Sequence, residues 1–561
     1  MSNPMAQRGV AWHMYVPKLF TVLRLGYTSG DLRHDVLAGL TVSIVALPLA
    51  MALAIASGTT PEKGLYTAIV AGFLISLLGG SRVQIGGPTA AFVPVVFNVI
   101  EKFGYGGLIL CTLLAGLMLI AAGVLRLGAL LRYIPQPVIT GFTSGIAVSI
   151  FSSQVKDLLG LQMGKVPGDF IPRWQAYLAS PPSLSASTVA LTVASLVLIV
   201  IVRRFRPNWP GFLIAVIAGS LFVAALHPSV ATIGTRFGDI SAARLHFSFP
   251  HIPLDRTREL FPSSFTIAFL AGVESLLSAV VADGMIGGRH RSNCELVAQG
   301  IANIASALFG GLPATGAIAR TATNIRSGAR SPIAGMMHAL FLLLFAVTLA
   351  PFMVYVPLAV LAALLVMVAW YMAEIDSFKH LMHGPVGDRV VLLVTFGLTV
   401  MVDLTVAIEV GIVLAAFLFM HGMSEVVAVE SRVSLLEEDE DDFVSAPRAD
   451  QRAQLPAGVE AFQISGPLFF AVANRLDDVL NQFPTPPRVF ILRMRLVPLI
   501  DVSGVRALRQ MIDRCRRNGI RVIFSGLQPQ PRAILTQMGL TPDERSVEFA
   551  ENFADAIRLA L

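Results

Sequence analysis

The sequence is poor in charged residues and in cysteine. Asp, Glu, Lys and Arg make up only 14% of its 561 residues, and there are 3 cysteines, Cys111, Cys294 and Cys515. An average soluble domain is roughly 25% charged, and a water-soluble globule cannot bury a chain that is 55% hydrophobic. The same apolar content excludes disorder. The cysteines lie too far apart to indicate a zinc knuckle or a disulfide framework. The remaining class is a polytopic α-helical membrane protein.

Several chemical signatures are also missing from the sequence. There is no G-x-x-x-x-G-K-[ST] string for a nucleotide-binding P-loop, and no nucleophile–base pair or metal-binding cluster. We therefore expect no enzyme activity, no cofactor and no metal. The net charge of +6 fits cytoplasmic loops near lipid as well as it fits nucleic acid. Because the composition gives no reason to prefer nucleic acid, we expect the membrane to be the partner.

Apolar stretches long enough to cross a bilayer recur from about residue 36 to about residue 420. A crossing helix needs about 20 mostly apolar residues, and the first stretch, Val36 to Ser57, has no cleavage site that would make it a signal peptide. Fourteen hydrophobic segments are predicted to begin near Val36, Gly64, Gly87, Gly107, Val138, Thr188, Gly211, Phe265, Glu295, Thr315, Pro332, Val354, Val390 and Thr405. The two that begin near Gly87 and Thr315 are too short and too rich in small residues to cross alone.

The distribution of Arg and Lys predicts the orientation of these segments. If the N-terminus is cytoplasmic, alternation places most cationic loops on that side, as the positive-inside rule requires. The cytoplasmic cations are then Arg8, Lys18, Arg24, Arg33, Arg82, Arg126, Arg132, Arg203, Arg204, Arg206, Arg289, Arg291, Arg326, Arg330, Lys379 and Arg389. One long loop with four arginines on the opposite side is a counter-signal. An even number of crossings places the C-terminus in the cytoplasm as well.

The composition changes abruptly after about Gly422. We predict a cytoplasmic N-terminal region over 1–35, a transmembrane region over 36–425, an acidic linker over 426–458 and a small α/β domain over 459–561. The linker contains the run EEDEDD at 437–442, which indicates a solvated spacer or an interaction tail. Periodicity predicts strands at 461–464, 489–494 and 520–524, and helices at 471–482, 503–517 and 529–538.

Two glycine-rich strings occupy matching places in the transmembrane region. One is GGPTAAF at 86–92 and the other is GGLPATGA at 310–317, and each begins the third segment of a seven-segment half. Because seven is odd, the second half is inverted, so the two interrupted helices can meet near the midplane. Such pairs are the best sequence pointer to a transporter binding site, although the glycines could simply allow close helix packing. Two helix N-termini at that depth favour an anion.

Ionisable residues inside apolar segments are costly and are functional candidates. Arg320, in the second interrupted segment, can add a permanent cation to the midplane site, or it can form a structural ion pair or snorkel. Glu274 lies in the first segment of the second half, and Ser278 follows one turn later, so both can face the same cavity. Glu274 can exchange a proton as the cavity changes access, or it can be fixed in an ion pair with Arg320 or another cation.

These residues resemble the SulP anion transporters, the solute carrier 26 family, over nearly the whole chain. The resemblance rests on LPLAMA at 47–52, GLY at 64–66, GGPTAA at 86–91 and the C-terminal α/β domain, which resembles a STAS domain. Four further strings resemble the C4-dicarboxylic acid transporters within that family. They are GFTSG at 141–145, KDLLGLQM at 156–163, ESLLSAVV at 274–281 and GPLFFA at 466–471.

The resemblance implies a 7+7 inverted repeat in which a core domain moves against a gate domain, and a homodimer in a bacterial inner membrane. Carried over by position, the residues that would line the anion site are Leu49, Leu53, Thr89, Ala90, Ala319 and Arg320. Glu274, with Ser278, would couple protons. In the STAS domain, Ser503 of the string DVSG can cap the helix that follows, or it can be a phosphorylated regulatory residue. A cytosolic protein partner of this domain is also expected.

The leading functional hypothesis is proton-coupled uptake of a C4-dicarboxylate such as succinate, fumarate or aspartate. The alternative within transport is a sulfate or bicarbonate carrier that could be coupled to sodium, because family members that carry other anions differ at the lining positions. From another class, the chain could be an anion channel or a sensor that signals through its STAS domain.

Overall fold

The computed structural model describes residues 14–129, 135–164, 166–179, 184–206, 209–238, 254–402, 404–426, 428–430, 455–468, 486–543 and 546–561. The chain forms two compact units that divide between Ala415 and Ala416. Most of the predicted acidic linker and the whole predicted helix 471–482 lie outside the described residues.

The first unit is helical. Its helices are α1 (Lys18–Leu25), α2 (Ser29–Ala56), α3 (Pro61–Leu78), α4 (Val93–Val124), α5 (Gln136–Leu159), α6 (Phe170–Ala179), α7 (Ala186–Phe205), α8 (Gly211–Leu226), α9 (Ile233–Phe237), α10 (Thr257–Ile286), α11 (Ser292–Leu308), α12 (Ile318–Arg326), α13 (Ile333–Thr348), α14 (Ala350–Met353), α15 (Leu358–Met372), α16 (Ile375–Met382), α17 (Val386–Met401) and α18 (Leu404–Val426). A 3-10 turn, Ala90–Phe92, leads into α4, and two short strands, β1 (Gly86–Gly87) and β2 (Thr315–Gly316), precede α4 and α12.

Each of the fourteen predicted segments corresponds to a helix or half-helix in the described part of the chain. Non-helical backbone at Gly104 divides α4, so this helix supplies the third and fourth segments. The others are α2, α3, α5, α7, α8, α10, α11, α12, α13, α15, α17 and α18. Eight of the described helices are long and apolar enough to cross a membrane, and α12, with 9 residues, is one of the two segments predicted to be too short.

The membrane helices pack in two groups. The core group consists of α2, α3, α4 and α10 to α13, which contact one another, and the gate group consists of α5, α7, α8, α15 and α17. Two buried carboxylates fix turns within the core group. Asp35 accepts backbone hydrogen bonds from the turn 330–331 at 2.7 and 3.1 Å, and Glu295 accepts from the turn 80–81 at 2.8 and 3.2 Å. Such charge-assisted bonds each contribute roughly 1.5–3 kcal/mol.

The second unit contains a five-stranded sheet in the order β3-β4-β5-β6-β7. Its strands are β3 (Ala428–Glu430), β4 (Val459–Ser465), β5 (Val489–Leu496), β6 (Arg521–Ser525) and β7 (Val547–Ala550), and its described helices are α19 (Val502–Arg517), α20 (Pro529–Gln537) and α21 (Phe553–Ala560). Neighbouring strands from β4 to β7 pair in parallel, and β3 pairs antiparallel with β4. Phe490 and Leu492 of β5 face one apolar cluster, while Val489 and Ile491 face the other. Both faces of the sheet are therefore covered, as is usual for parallel strands.

The predicted cap of α19 is wrong. Asp501, not Ser503, is the N-cap: its carboxylate accepts a hydrogen bond of 2.7 Å from the backbone N–H of Gly504. The reason is that Asp501 has the extended backbone that a cap residue needs, with φ −103° and ψ 179°. The helix starts at Val502, so Ser503 is already its second residue, and it is exposed.

Candidate functional site

The starts of the two interrupted helices adjoin. Strands β1 and β2 pair antiparallel, with Gly86 opposite Gly316 and Gly87 opposite Thr315. Thr89 precedes the 3-10 turn that leads into α4, and Ala317 precedes α12; neither helix start has a side-chain cap. The first N–H groups of a helix have no intrahelical partner, so two sets of backbone donors converge here. This confirms the geometry that the paired glycine-rich strings predicted.

A buried cation joins the two starts. Arg320, in the first turn of α12, is 4% exposed, and its Nη2 donates a hydrogen bond to the carbonyl oxygen of Pro88. Gly87 lies beneath the guanidinium. A Cβ at that position would lie 2.6 Å from Nη1 of Arg320, and the backbone there has φ +149°. Only glycine combines this conformation with this close approach, so a glycine at this position of the string is what lets the guanidinium pack against the backbone.

A carboxylate reaches the same place from α10. Oγ1 of Thr89 donates a hydrogen bond of 2.9 Å to Oε2 of Glu274. A threonine before a helix commonly uses this oxygen to accept from the helix backbone, but here the hydroxyl is directed to Glu274 and no cap forms. Among the described contacts, Glu274 has this hydrogen bond with Thr89 and no direct salt bridge with Arg320, although the two charges interact electrostatically.

The helix-start site is therefore defined by the side chains of Thr89, Glu274 and Arg320 and the backbone of 86–91 and 315–319. Ionised Glu274 and Arg320 have formal charges that cancel. A protonated Glu274 would leave a net charge of +1 in a surround with few competing polar groups. Because electrostatic interactions are strong where water is scarce, protonation of this one carboxyl would change the electrostatic potential at the two helix starts.

Ser278 and Glu274 have different hydrogen-bond partners, and the predicted shared cavity stays a prediction. Its side chain is fully buried, and its hydroxyl donates to Oγ1 of Thr321 at 3.1 Å. That oxygen also accepts from the backbone N–H of Ile85 at 3.0 Å. Ser278 therefore joins α10 to α12 and to the approach to β1. Glu274 and Ser278, one turn apart on α10, therefore contact different elements: Glu274 bonds the residue before the 3-10 turn that leads into α4, and Ser278 bonds α12.

The predicted lining residues lie around the two helix starts in different environments. Leu53 and Ala90 belong to one buried apolar cluster, and half-buried Leu49 packs against it. Ala319 is exposed although it is next to buried Arg320. A strip of residues on α12 with accessible surface, Ala319, Thr323 and Arg326 at i, i+4 and i+7, leads from its start to its end. The site is therefore accessible along α12 and enclosed towards Leu53.

Two contacts at and beside the helix-start site join residues that lie far apart in the sequence, so no local sequence pattern predicts them. Thr89 and Glu274 are 185 residues apart, and Gln84, which donates to Oγ of Ser275 at 3.0 Å, is separated from it by 191. Only the cost of polar groups within apolar segments marks such residues as candidates. Among the residues that the structure describes, no group of three or more His, Cys, Asp or Glu could hold a metal ion.

Comparisons with known proteins identify the family. The profile described as the sulfate permease family matches residues 32–395, and that of the STAS domain matches 452–556. The candidate sulfate transporter YvdB of Bacillus subtilis is 40% identical over 517 residues, which are 92% of this chain and 95% of that protein. The bicarbonate transporter BicA of Synechocystis sp. is 30% identical over 522 residues, which are 91% of this chain and 90% of that protein.

Solved structures show the same fold. The inward-facing murine Solute Carrier 26 family member A9 anion transporter superposes with a TM-score of 0.84 at 18% identity, over 100% of this chain and 96% of that chain. The transmembrane domain of a cyanobacterial BicA superposes with a TM-score of 0.62 at 28% identity, over 70% of this chain and 98% of that chain. The chain therefore belongs to the sulfate permease (SulP, solute carrier 26) family of integral membrane anion transporters, which are not enzymes, and it carries a C-terminal STAS domain.

Proposed function

We propose that this protein takes up C4-dicarboxylates such as succinate, fumarate or aspartate together with protons. The observation that carries the proposal is the hydrogen bond of 2.9 Å from Thr89 to Glu274 beside buried Arg320. Glu274 is itself a carboxylate and occupies the donor that an incoming carboxylate would use. Substrate and Glu274 therefore compete for one site, and protonation of Glu274 decides between them.

The cycle follows from this competition. A proton neutralises Glu274, which frees the hydroxyl of Thr89 and leaves the charge of Arg320 unbalanced. A substrate carboxylate then binds the guanidinium and the backbone donors of the two helix starts, since planar guanidinium groups match carboxylates. The anion and the proton are carried together, and release of one favours release of the other.

The choice of a C4-dicarboxylate as the substrate is supported by the four strings that resemble C4-dicarboxylic acid transporters and by the fit of a guanidinium to a carboxylate. A second candidate is a sulfate or bicarbonate carrier, with protons or sodium as the coupling ion. The names of YvdB and BicA favour it, and the helix-start site offers an oxyanion the same donors. The two candidates differ in the second half of the substrate, which is a second carboxylate only in the dicarboxylate.

We also propose the setting in which the site works. The protein forms a homodimer in the bacterial inner membrane with both termini in the cytoplasm, as the distribution of Arg and Lys predicts. The membrane domain spans 36–425, with a cytoplasmic region over 1–35 before it and an acidic linker over 426–458 and a STAS domain over 459–561 after it. The STAS domain binds a cytosolic protein, and Ser503, exposed at the start of α19, is a candidate regulatory residue.

The test is uptake of labelled succinate into proteoliposomes under an inward proton gradient. We expect accumulation that collapses with a protonophore, is inhibited by fumarate and aspartate, and is insensitive to a sodium gradient. Uptake of sulfate or bicarbonate in place of succinate would contradict the dicarboxylate and support the second candidate. Fluxes without accumulation against a gradient would support a channel instead.

The coupling role of Glu274 is tested by Glu274→Gln. The amide imitates the protonated carboxyl, so we expect exchange of anion across the membrane to persist while accumulation driven by the proton gradient falls at least about 10-fold. Glu409→Gln removes an exposed carboxylate from α18 and is the matched control, which should behave as the parent protein. Full proton-driven accumulation by Glu274→Gln would contradict the role of Glu274.

A further inference from the structure

A second buried arginine lies far from the helix-start site in sequence and has a different role. Arg173 of α6 is 6% exposed. Its guanidinium lies 5.9 Å from the ring centroid of Phe97 of α4, and its described hydrogen bonds go to backbone carbonyl oxygens. The acceptors are Pro167 at 3.0 Å, Ser149 at 3.2 Å and Gly168. Two of these belong to the turn just before α6 and one to α5. Arg173 therefore ties the turn 167–168 to the gate group.

The rest of α6 is attached to α5 as well. Nε1 of Trp174 donates to Oγ of Ser152 at 3.2 Å, and the hydroxyl of Tyr177 donates to the carbonyl of Ser152 at 2.9 Å. Burial raises the pKa of Tyr177 to about 12, so its hydroxyl keeps its proton and this bond at any physiological pH. We conclude that α6 and the turn before it form one body with α5.

The turn before α6 also meets the core group. A Cβ on Gly168 would lie 2.3 Å from Oε2 of Glu101 and 2.7 Å from Oδ1 of Asn98, so the backbone of the turn lies directly against α4. Asn98 and Glu101 belong to the first half of α4, which begins at the helix-start site. Glu101 lies 11 residues beyond Ala90, which corresponds to about 16 Å along a helix.

A pocket lies where these elements converge. It is bordered by α4, α5, the turn before α6 and the junction of α17 and α18, and its polar lining residues are Asn98, Ser149, Ser153, Asp169, Arg173 and Thr399. The pocket reaches the start of α4, where Val93 lines it, and Phe92, one residue nearer the helix-start site, is buried with 2% exposure. The other direction, along α12, has the exposed strip described above. The helix-start site is thus separated from this pocket by buried Phe92 in this structure.

We propose that the turn 167–168 is the gate at this end of the transport path, with Arg173 as the positioning residue that holds it on the gate group. This proposal rests on the proposed anion transport and on movement of the core group against the gate group, which the family resemblance implies, but it holds for any anion. When the core group moves, α4 separates from Gly168, and the pocket becomes continuous with the helix-start site. Arg173 stays bound to α5 and to the turn throughout.

The gate is tested by a crosslink between the core and the turn. In proteoliposomes, Asn98→Cys with Gly168→Cys is oxidised or treated with a short dithiol-reactive linker. We expect transport to fall at least about 10-fold and to return when a reductant cleaves the link. The native cysteines, Cys111, Cys294 and Cys515, are buried. Transport that continues when the pair is fully linked would overturn the proposal.

A matched control crosslink stays within the gate group. A Cβ on Gly211 would lie 3.6 Å from Cβ of Val202, which suits a disulfide. Val202→Cys with Gly211→Cys should link and leave transport within about twofold, since α7 and α8 move together. If the control link also stops transport, a disulfide inside the gate group is enough to inhibit the protein. Loss of transport on the first crosslink would then not depend on the turn, and the gate proposal would be overturned.

Arg173 is tested by its effect on the first crosslink. Arg173→Met keeps an apolar stem but cannot bind three carbonyls, so the turn should leave α4 and the rate of linkage should fall several-fold. The rate for the control pair should not change, and Arg173→Lys should restore part of the loss. Equal rates in all variants would overturn the role of Arg173. Each experiment uses whichever of succinate, sulfate or bicarbonate the unlinked protein carries, so failure of the substrate proposal is recognised separately.

Discussion

The start of α4 and the start of α12 share a backbone arrangement and differ in their side chains. Each follows a short strand, the strands pair with each other, and neither start is capped by a side chain. The start of α4 supplies a hydroxyl from Thr89, whereas the start of α12 supplies the guanidinium of Arg320. The inverted repeat thus provides two equivalent sets of backbone donors, while the charge comes from one half alone.

This difference separates the backbone that builds the site from the side chains that we propose respond to protonation. The paired strands bring the donors together whatever the protonation state. Glu274, from α10 in the second half, bonds the hydroxyl of the first half, and Arg320 of the second half bonds the Pro88 carbonyl of the first. Each functional contact therefore crosses between the halves, so substitutions at either start should affect both.

The largest effect is expected from removal of the charge at the start of α12. Arg320→Ala should lower anion uptake on the order of 100-fold or more, because truncation of one partner of a buried charge interaction typically costs about 2–5 kcal/mol. Arg320→Lys should recover only part, because an ammonium lacks the planar fork. Initial rates in proteoliposomes measure this.

The control for Arg320 is Arg204→Ala at the exposed end of α7, which should change the rate less than about twofold. Equal rates for Arg320→Ala and the parent protein would mean that backbone donors alone hold the anion. The two helix starts would then be equivalent in function as well as in backbone.

A smaller effect is expected at the start of α4. Thr89→Val removes the hydrogen bond to Glu274 while keeping the shape of the side chain. The ionised carboxylate loses a donor, so Glu274 should accept a proton more readily. Proton-driven uptake should then persist to higher pH, by up to about one pH unit, because one unit corresponds to 1.36 kcal/mol. The measurement is the pH profile of uptake.

Thr89→Ser keeps the hydroxyl and is the control, with an expected profile like that of the parent protein. A shift of the Thr89→Val profile to lower pH would contradict the contact. It would indicate that the hydroxyl stabilises the protonated form of Glu274 instead.

The smallest effect is expected at the start of α19, where a side chain already accepts a hydrogen bond from the helix backbone. Asp501→Ala removes the N-cap of α19 and should destabilise the STAS domain by about 1 kcal/mol, as measured by chemical denaturation followed by a fluorophore attached to this domain. Ser503→Ala should leave stability unchanged, since Ser503 makes no cap. A loss on Ser503→Ala equal to that on Asp501→Ala would mean that both side chains support this start.

The sequence is sufficient to predict the crossing helices and to predict that the starts of the two interrupted helices meet. Apolar length predicts the crossing segments, and the glycine and proline of GGPTAAF and GGLPATGA predict where helices break. The side-chain contacts depend on packing across long separations. Nothing near Thr89 indicates that its hydroxyl is directed to Glu274 rather than to its own helix, and nothing near Ser278 indicates Thr321 as its partner.

The cap of α19 illustrates the same limit over a shorter distance. Asp501 and Ser503 are both good cap residues, and the choice depends on where the backbone first becomes helical. The backbone is extended at Asp501 and helical from Val502, and the following residues Val505 and Leu508 pack in the apolar cluster of the sheet.

The bond from Arg320 to Pro88 has a consequence for how the two repeats depend on each other. A seven-segment half separated from the other would contain either a cation without its carbonyl or a carbonyl without its cation. Two identical halves would place two guanidinium groups at one centre, and the repulsion between them would oppose assembly. The difference between the halves at this position therefore leaves one guanidinium, and not two, at the paired helix starts.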